Sequence, residues 1–141
     1  MKIFRTKNKH VNYWLDILLI AGLFAIALYP LIWPAVIRGS SMSPTLDYGD
    51  VVLISRIAAR FGNFSHGDLV MCRIPIYGHN ENMIKRIAGV PGDTVQLIDG
   101  AEIILGRGEY FILGDNFESS IDSRYFGPIS RNQIFARVLF R

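Results

Sequence analysis

Apolar residues along this chain fall into one unbroken run followed by a series of short segments. Residues Ile17 to Ile37 span 21 positions without a charge. As an α-helix the run would be about 32 Å long, enough for a hydrocarbon core of about 30 Å. Pro30 and Pro34 would kink its outer end, and Tyr13 and Trp14 stand where interface anchors belong. Beyond Ile37, seven runs rich in Val, Ile, Leu and Phe are separated by turn residues: 51–56, 68–73, 83–88, 94–98, 102–105, 110–113 and 133–140. These read as β-strands. Asp99-Gly100 predicts a hairpin with a two-residue type I′ turn. Gly-Asp recurs at 49–50, 67–68, 92–93 and 114–115, and the first three read as a turn opening a strand. Outside the first run no long stretch keeps a 3.6-residue period.

The pattern predicts three parts: a basic tail over 1–12, a transmembrane signal-anchor helix over 13–37, and a β-rich domain over 38–141. Charge orients them. Lys2, Arg5, Lys7 and Lys9 precede the span and only Arg38 follows it closely. The positive-inside rule then places the N-terminus in the cytoplasm and 38–141 outside. Residues 1–37 hold four Lys/Arg and one Asp, a net +3, whereas 38–141 hold eleven charges of each sign. The basic surplus therefore belongs to the tail beside anionic lipid, and no nucleic-acid partner is expected. A cleavable signal peptide fits poorly, because the run is too long and no A-x-A site follows it. Cys72 is the only cysteine, which excludes an internal disulfide or a cysteine metal cluster and suits strand packing. No phosphate loop, metal-ligand pattern or nucleotide fingerprint occurs, so neither metal nor cofactor is expected.

Two residues carry candidate chemistry. Ser41 lies just past the apolar run, in Gly39-Ser40-Ser41-Met42-Ser43-Pro44-Thr45-Leu46. It reads either as a surface serine in a polar loop or as a nucleophile held at the membrane surface by apolar flanks and Pro44. Lys85 is the only lysine after residue 9; every later cation besides it is arginine. It reads either as a solvated strand lysine paired with Glu81 or, sharing a strand face with Met83 and Ile87, as a desolvated one. A desolvated lysine becomes a neutral amine and a base, which arginine does not. Gly114 to Arg124 is dense in hydrogen-bonding groups and by composition is an ordinary loop. His66 and His79 each stand alone in a Gly-rich turn.

Three blocks together resemble the type I signal peptidases, membrane-bound Ser-Lys serine endopeptidases. Ser41-Met42-Ser43-Pro44-Thr45-Leu46 is similar to their S-M-x-P-T-L, and Lys85-Arg86-Ile87-Ala88-Gly89-Val90-Pro91-Gly92-Asp93 to their K-R-x-x-G-x-P-G-D. Gly114-Asp115-Asn116 with Ser120, Asp122, Ser123 and Arg124 is similar to G-D-N-…-S-x-D-S-R, and His66-Gly67-Asp68-Leu69-Val70 to a weaker fourth block. Order and spacing agree over nearly the whole chain.

The resemblance implies a mainly β, antiparallel two-sheet domain with a flat apolar surface toward the bilayer. It implies Ser41 as nucleophile, Lys85 as general base, Ser120 orienting the amine, and a structural salt bridge between Asp122 and Arg124. The Ser41 backbone N–H would be one oxyanion donor. Gly39 stands where some members carry a serine donor, which leaves Gly39, Ser40 or water for the second. Ile37, Met42, Leu46, Met83 and Ile84 match pocket-lining positions. Substrates would be exported preproteins with small residues at −1 and −3, cleaved at the outer face of a bacterial cell membrane. A dedicated pilin or conjugation maturation peptidase, a mitochondrial inner-membrane relative and a non-catalytic assembly factor are the alternatives. Phe117 replaces an arginine common after G-D-N, and the short stretch from Asp93 to Gly114 leaves out the large second domain of some members.

Overall fold

The computed structural model describes residues 9–28, 31–76 and 78–140. Residues 1–8 of the basic tail and Pro30 lie outside the described residues. The first element, α1 (Lys9–Leu28), is long and apolar enough to cross a membrane, and its side chains are exposed apart from half-buried Asn12 among those described. Tyr13 and Trp14 meet edge to face near its start.

The helix does not continue to Ile37 as the apolar run suggested. Trp33–Val36 forms β1, antiparallel to β2 (Val51–Ser55), in register from Trp33↔Ile54 to Val36↔Val51. Pro34 has no N–H for an interior helical bond and sits instead on the edge strand of a sheet, where proline is tolerated. Pairing with β2 satisfies a backbone that apolar composition alone would have left helical.

The remaining strands are β3 (Leu69–Ile76), β4 (His79–Gly89), β5 (Thr94–Gln96), β6 (Glu102–Ile104), β7 (Glu109–Leu113), β8 (Ile129–Ser130) and β9 (Ile134–Phe140). All seven expected strands are present, with β1 and β8 added. One antiparallel sheet runs β1-β2-β9-β3-β4-β7-β8, and β5 and β6 form a separate ribbon. Two short helices escaped the periodicity reading because one or two turns cannot express a period. Helix α2 (Arg56–Phe61) is capped by the Ser55 hydroxyl, which accepts from Ala58 N–H. Helix α3 (Ser123–Phe126) is capped by Asp122.

Three turns share one construction. In 47–50, 65–68 and 90–93 the closing Asp donates its N–H to the carbonyl three residues back, and its carboxylate accepts the N–H of that same residue. The glycine before each Asp has positive φ, which an L side chain adopts only with strain. The Asp99-Gly100 hairpin differs from its expected two-residue form. Gly100 N–H bonds the Leu97 carbonyl and Leu97 N–H bonds the Ala101 carbonyl, so three residues make the loop.

The sheet is apolar on both faces at β3. Val70, Cys72 and Ile74 join Ile87, Ile112 and Ile134 in one core, while Leu69 and Met71 pack against a second core of Met42, Leu46, Val52 and Ala136. The loop after β1 thus contributes Ile37, Met42 and Leu46 to this core and is anchored by burial. The outward face of β1 and β2 leaves Val36, Val51 and Leu53 exposed, with Ile32 beside them. Replacing fully buried Leu46 with alanine should cost about 2–5 kcal/mol in a urea titration. Ile104→Ala, on the exposed ribbon, should stay within about 0.5 kcal/mol.

Candidate active site

Lys85 sits on β4 opposite Val70, on the same face as Cys72, Met83 and Ile87, and is 2% exposed. Glu81 shares that face but lies in the solvent-exposed first part of β4, and among the described residues no Lys85–Glu81 ion pair forms. Its Nζ donates to the Ser120 Oγ at 3.0 Å. The Ser120 hydroxyl donates in turn to Asp122 Oδ2 at 2.6 Å. Because that single O–H is spent on the carboxylate, the serine oxygen meets Lys85 as an acceptor. One amine hydrogen is pinned there, and the rest of the amine is left to face other groups.

Asp122 is fully buried and shares two bonds of 2.8 Å with Arg124 through Nε and Nη2. It also accepts the Gly114 N–H at 2.9 Å. Burial pushes its carboxyl up, but the guanidinium and these hydrogen bonds together hold it below the usual carboxylate range. Arg124 is further fixed by the Phe117 carbonyl and lies 3.7 Å over the Phe117 ring. Phe117 therefore covers the ion pair as a cation–π partner.

Burial drives the Lys85 amine below the ordinary lysine value of 10.5; the Asp122 charge opposes this and the Arg124 charge favours it. Among the described residues Lys85 forms no salt bridge. Neighbouring Cys72 is pushed up to about 12 by burial and so stays a thiol at neutral pH, donating to the Met83 carbonyl at 3.5 Å.

Ser41 is half-buried in the loop after β1, and three contacts tie that loop to the 114–124 segment. Asn116 N–H donates to the Ser41 carbonyl at 3.0 Å, and Thr45 hydrogen-bonds the Asp115 carboxylate. At Gly114 the backbones approach so closely that a Cβ would lie 2.4 Å from the Ser41 carbonyl oxygen and 2.2 Å from Ser120 Oγ. The fourth Gly-Asp is therefore a close-approach glycine, unlike the three positive-φ turns. It brings the Ser41 loop against the serine that holds Lys85. Arg86, on the other face of β4, grips Asp115 with two bonds of 2.8 and 2.6 Å and donates to the Gly67 carbonyl.

Beside Ser41 runs a groove of about 270 Å³ whose walls include Ile37, Met42, Met71, Met83 and Ile84. Leu46 departs from the expected pocket set. The turn that bonds its N–H to the Met42 carbonyl sends its side chain inward, under β2. Met71, on β3 opposite Ile84 of β4, takes a wall position that the sequence reading missed. Gly39 flanks the groove in a positive-φ conformation, and Ser40 is exposed. His66, expected to stand alone, pairs with Asp93 at 2.7 Å; His79 is exposed at the start of β4.

A family model described as signal peptidase, peptidase S26, matches residues 10–106 and 99–141. The chain belongs to this family. It is 38% identical over 111 residues, 73% of its length, to mitochondrial ATP-independent inner membrane protease subunit 1b of Arabidopsis thaliana. It is 32% identical over 108 residues, again 73% of its length, to mitochondrial inner membrane protease subunit 1 of Mus musculus. Those matches cover 65% and 64% of the two relatives, so the chain spans a little under two thirds of their length. Signal peptidase IB of Staphylococcus aureus is 29% identical, with 89% of this chain and 82% of that protein covered. Membership of this peptidase family agrees with the antiparallel β architecture and with the N-terminal apolar helix.

The depressed Lys85 amine has a consequence for stability. Between its folded value and the ordinary 10.5 the unfolded chain binds the extra proton, so stability rises with pH across that window and is flat below it. The slope approaches about 1.4 kcal/mol per pH unit. Lys85→Met should therefore be more stable than wild type at neutral pH, with a gain that shrinks as pH rises toward 10.5. Urea titrations of both proteins from pH 6 to 11 check the sign; a gain independent of pH would contradict a depressed amine.

Proposed function

We propose that this chain is a membrane-anchored signal peptidase that cleaves exported preproteins by a Ser41–Lys85 dyad. The observation that carries the proposal is the buried Lys85 amine, held by Ser120 on the strand beside the Ser41 groove. A neutral Lys85 would take the proton of Ser41 as its Oγ attacks the scissile carbonyl. The ammonium so formed would protonate the leaving amine, producing an acyl-enzyme on Ser41. Lys85, neutral again, would activate water to hydrolyse that ester. Ser120 would orient the amine throughout, and Asp122 with Arg124 would hold Ser120. The developing oxyanion would bind the Ser41 N–H, with Gly39, Ser40 or water as the second donor, each worth roughly 10²–10³ in rate.

Substrate placement follows from the sheet. On β4, residues 82–85 pair with β3, whereas the β7 pairing runs only from Arg86 to Gly89. The free edge before Arg86 suits an added substrate strand whose alternate side chains enter the groove. Ile37, Met42, Met83 and Ile84 would line it with apolar surface, and its modest volume suits small residues at −1 and −3. Helix α1 would cross the bilayer with the N-terminus in the cytoplasm, leaving the exposed Val36, Val51 and Leu53 face against lipid at the outer surface. The higher identity to mitochondrial inner membrane protease subunits favours a second reading, a peptidase of that type with a narrower substrate set.

Detergent-solubilised wild type should cleave a preprotein at an A-x-A junction. Ser41→Ala should fall to background while keeping the wild-type melting curve. Lys85→Arg should be equally inactive at neutral pH, since arginine keeps its proton. Turnover by Ser41→Ala would refute the nucleophile, and near-normal turnover by Lys85→Arg would refute the base. Failure of the folded wild type on this substrate, with cleavage of a pilin-type or mitochondrial presequence, would select the narrower reading. Failure on all three would point to a non-catalytic assembly factor.

A further inference from the structure

The β-rich domain is neutral in sum, yet its cations are not evenly spread. Arg56, Arg60, Arg107 and Arg131 line one groove of about 720 Å³, separate from the Ser41 groove. Among the described residues none of the four forms a salt bridge. Glu109, on the adjoining β7, turns its carboxylate back to the Gly106 N–H at 2.8 Å. Arg131 is fixed from below, donating to the Ala59 and Gly62 carbonyls and lying over the Phe64 ring. Arg56 lies over the Trp33 ring at 4.7 Å, while Arg60 and Arg107 are exposed. The groove is thus a set of planar cations, part held in place and part free, the donor geometry that phosphate oxygens accept.

Its position names the source of the phosphate. Helix α2 springs from the end of β2, beside the start of β1, since Trp33 pairs with Ile54. Trp33 is only five residues past Leu28, the end of α1, so it lies within about 18 Å of that end. On the anchor reading above, this corner of the sheet is at the bilayer surface. Helix α2 is also amphipathic in the manner of an interfacial segment: Ile57 and Phe61 are exposed apolar residues one turn apart, next to Arg56 and Arg60, with Ala59 buried.

We infer that the Arg56–Arg60–Arg107–Arg131 groove binds the phosphate of an anionic phospholipid headgroup, with Ile57 and Phe61 dipping into the same leaflet. The site rests on the reading of α1 as a membrane span and is independent of the Ser41–Lys85 chemistry. Bound lipid would fix the corner of the sheet from which the chain leaves the bilayer.

The test uses the full chain in nanodiscs with Trp14→Phe, which leaves Trp33 as the one tryptophan. Phosphatidylglycerol or phosphatidylcholine, each with a nitroxide near the carbonyl end of an acyl chain, is added at equal mole fraction. The anionic lipid should quench Trp33 more strongly, by about two-fold or more. Arg60→Gln/Arg107→Gln should abolish the difference, and Arg73→Gln, outside the groove, should preserve it. Equal quenching by both lipids in a membrane-inserted chain would overturn the site, as would an equal loss in Arg73→Gln. A preference erased by millimolar inorganic phosphate would mark a free-phosphate site and overturn the lipid assignment. A chain extracted by alkaline carbonate would defeat the anchor reading itself, and the lipid site with it.

Discussion

A buried lysine with no salt-bridge partner among the described residues is the constraint on which this molecule depends. An amine taken out of water costs free energy unless it sheds its proton or finds a charge partner. Here the carboxylate that could neutralise Lys85 is one group removed. Asp122 is occupied by Arg124, by the Gly114 N–H and by the Ser120 hydroxyl, and only that hydroxyl reaches Lys85. The ion pair satisfies itself and keeps the serine oxygen turned toward the amine as an acceptor. Direct pairing of Lys85 with Asp122 would have stabilised the ammonium; the intervening serine positions the amine while leaving burial to act on its charge.

The same node ties three distant parts of the sequence together. Gly114 has no room for a methyl group, because the Ser41 carbonyl and Ser120 crowd the same Cα. Met42 and Leu46 root the Ser41 loop in the second core, and Thr45 and Ser41 bond the 114–124 segment. The loop, the buried strand and the hydrogen-bonded segment are consequently set by packing and backbone contact. This is the kind of support that lets a small domain hold the Ser41 and Lys85 backbones in fixed relation.

Much of this arrangement is legible in the amino-acid sequence. Alternation on β4 puts Lys85 on an apolar face, and the strand runs follow from residue type and turn chemistry. Ser120, by contrast, enters through resemblance to a peptidase family, since nothing in the composition of 114–124 distinguishes one serine from its neighbours. β1 is hidden inside an apolar run because its partner, β2, begins only at Val51, and pairing across an intervening loop leaves no local signal. Leu46 belongs to the core and not to the pocket wall because one turn of backbone decides which way it points. The arginine groove is invisible for a different reason: a net charge of zero over 38–141 says nothing about where the charges gather.

The central claim is that burial holds the Lys85 amine below the ordinary lysine value. It can be read directly from the chemical shift of its Cε as a function of pH, in protein with isotope-labelled lysine. Only Lys2, Lys7, Lys9 and Lys85 contribute signals, and Lys85→Arg identifies the fourth. This signal should titrate below 10.5. A Lys85 signal titrating at or above 10.5 would mean a charged amine and would contradict the account.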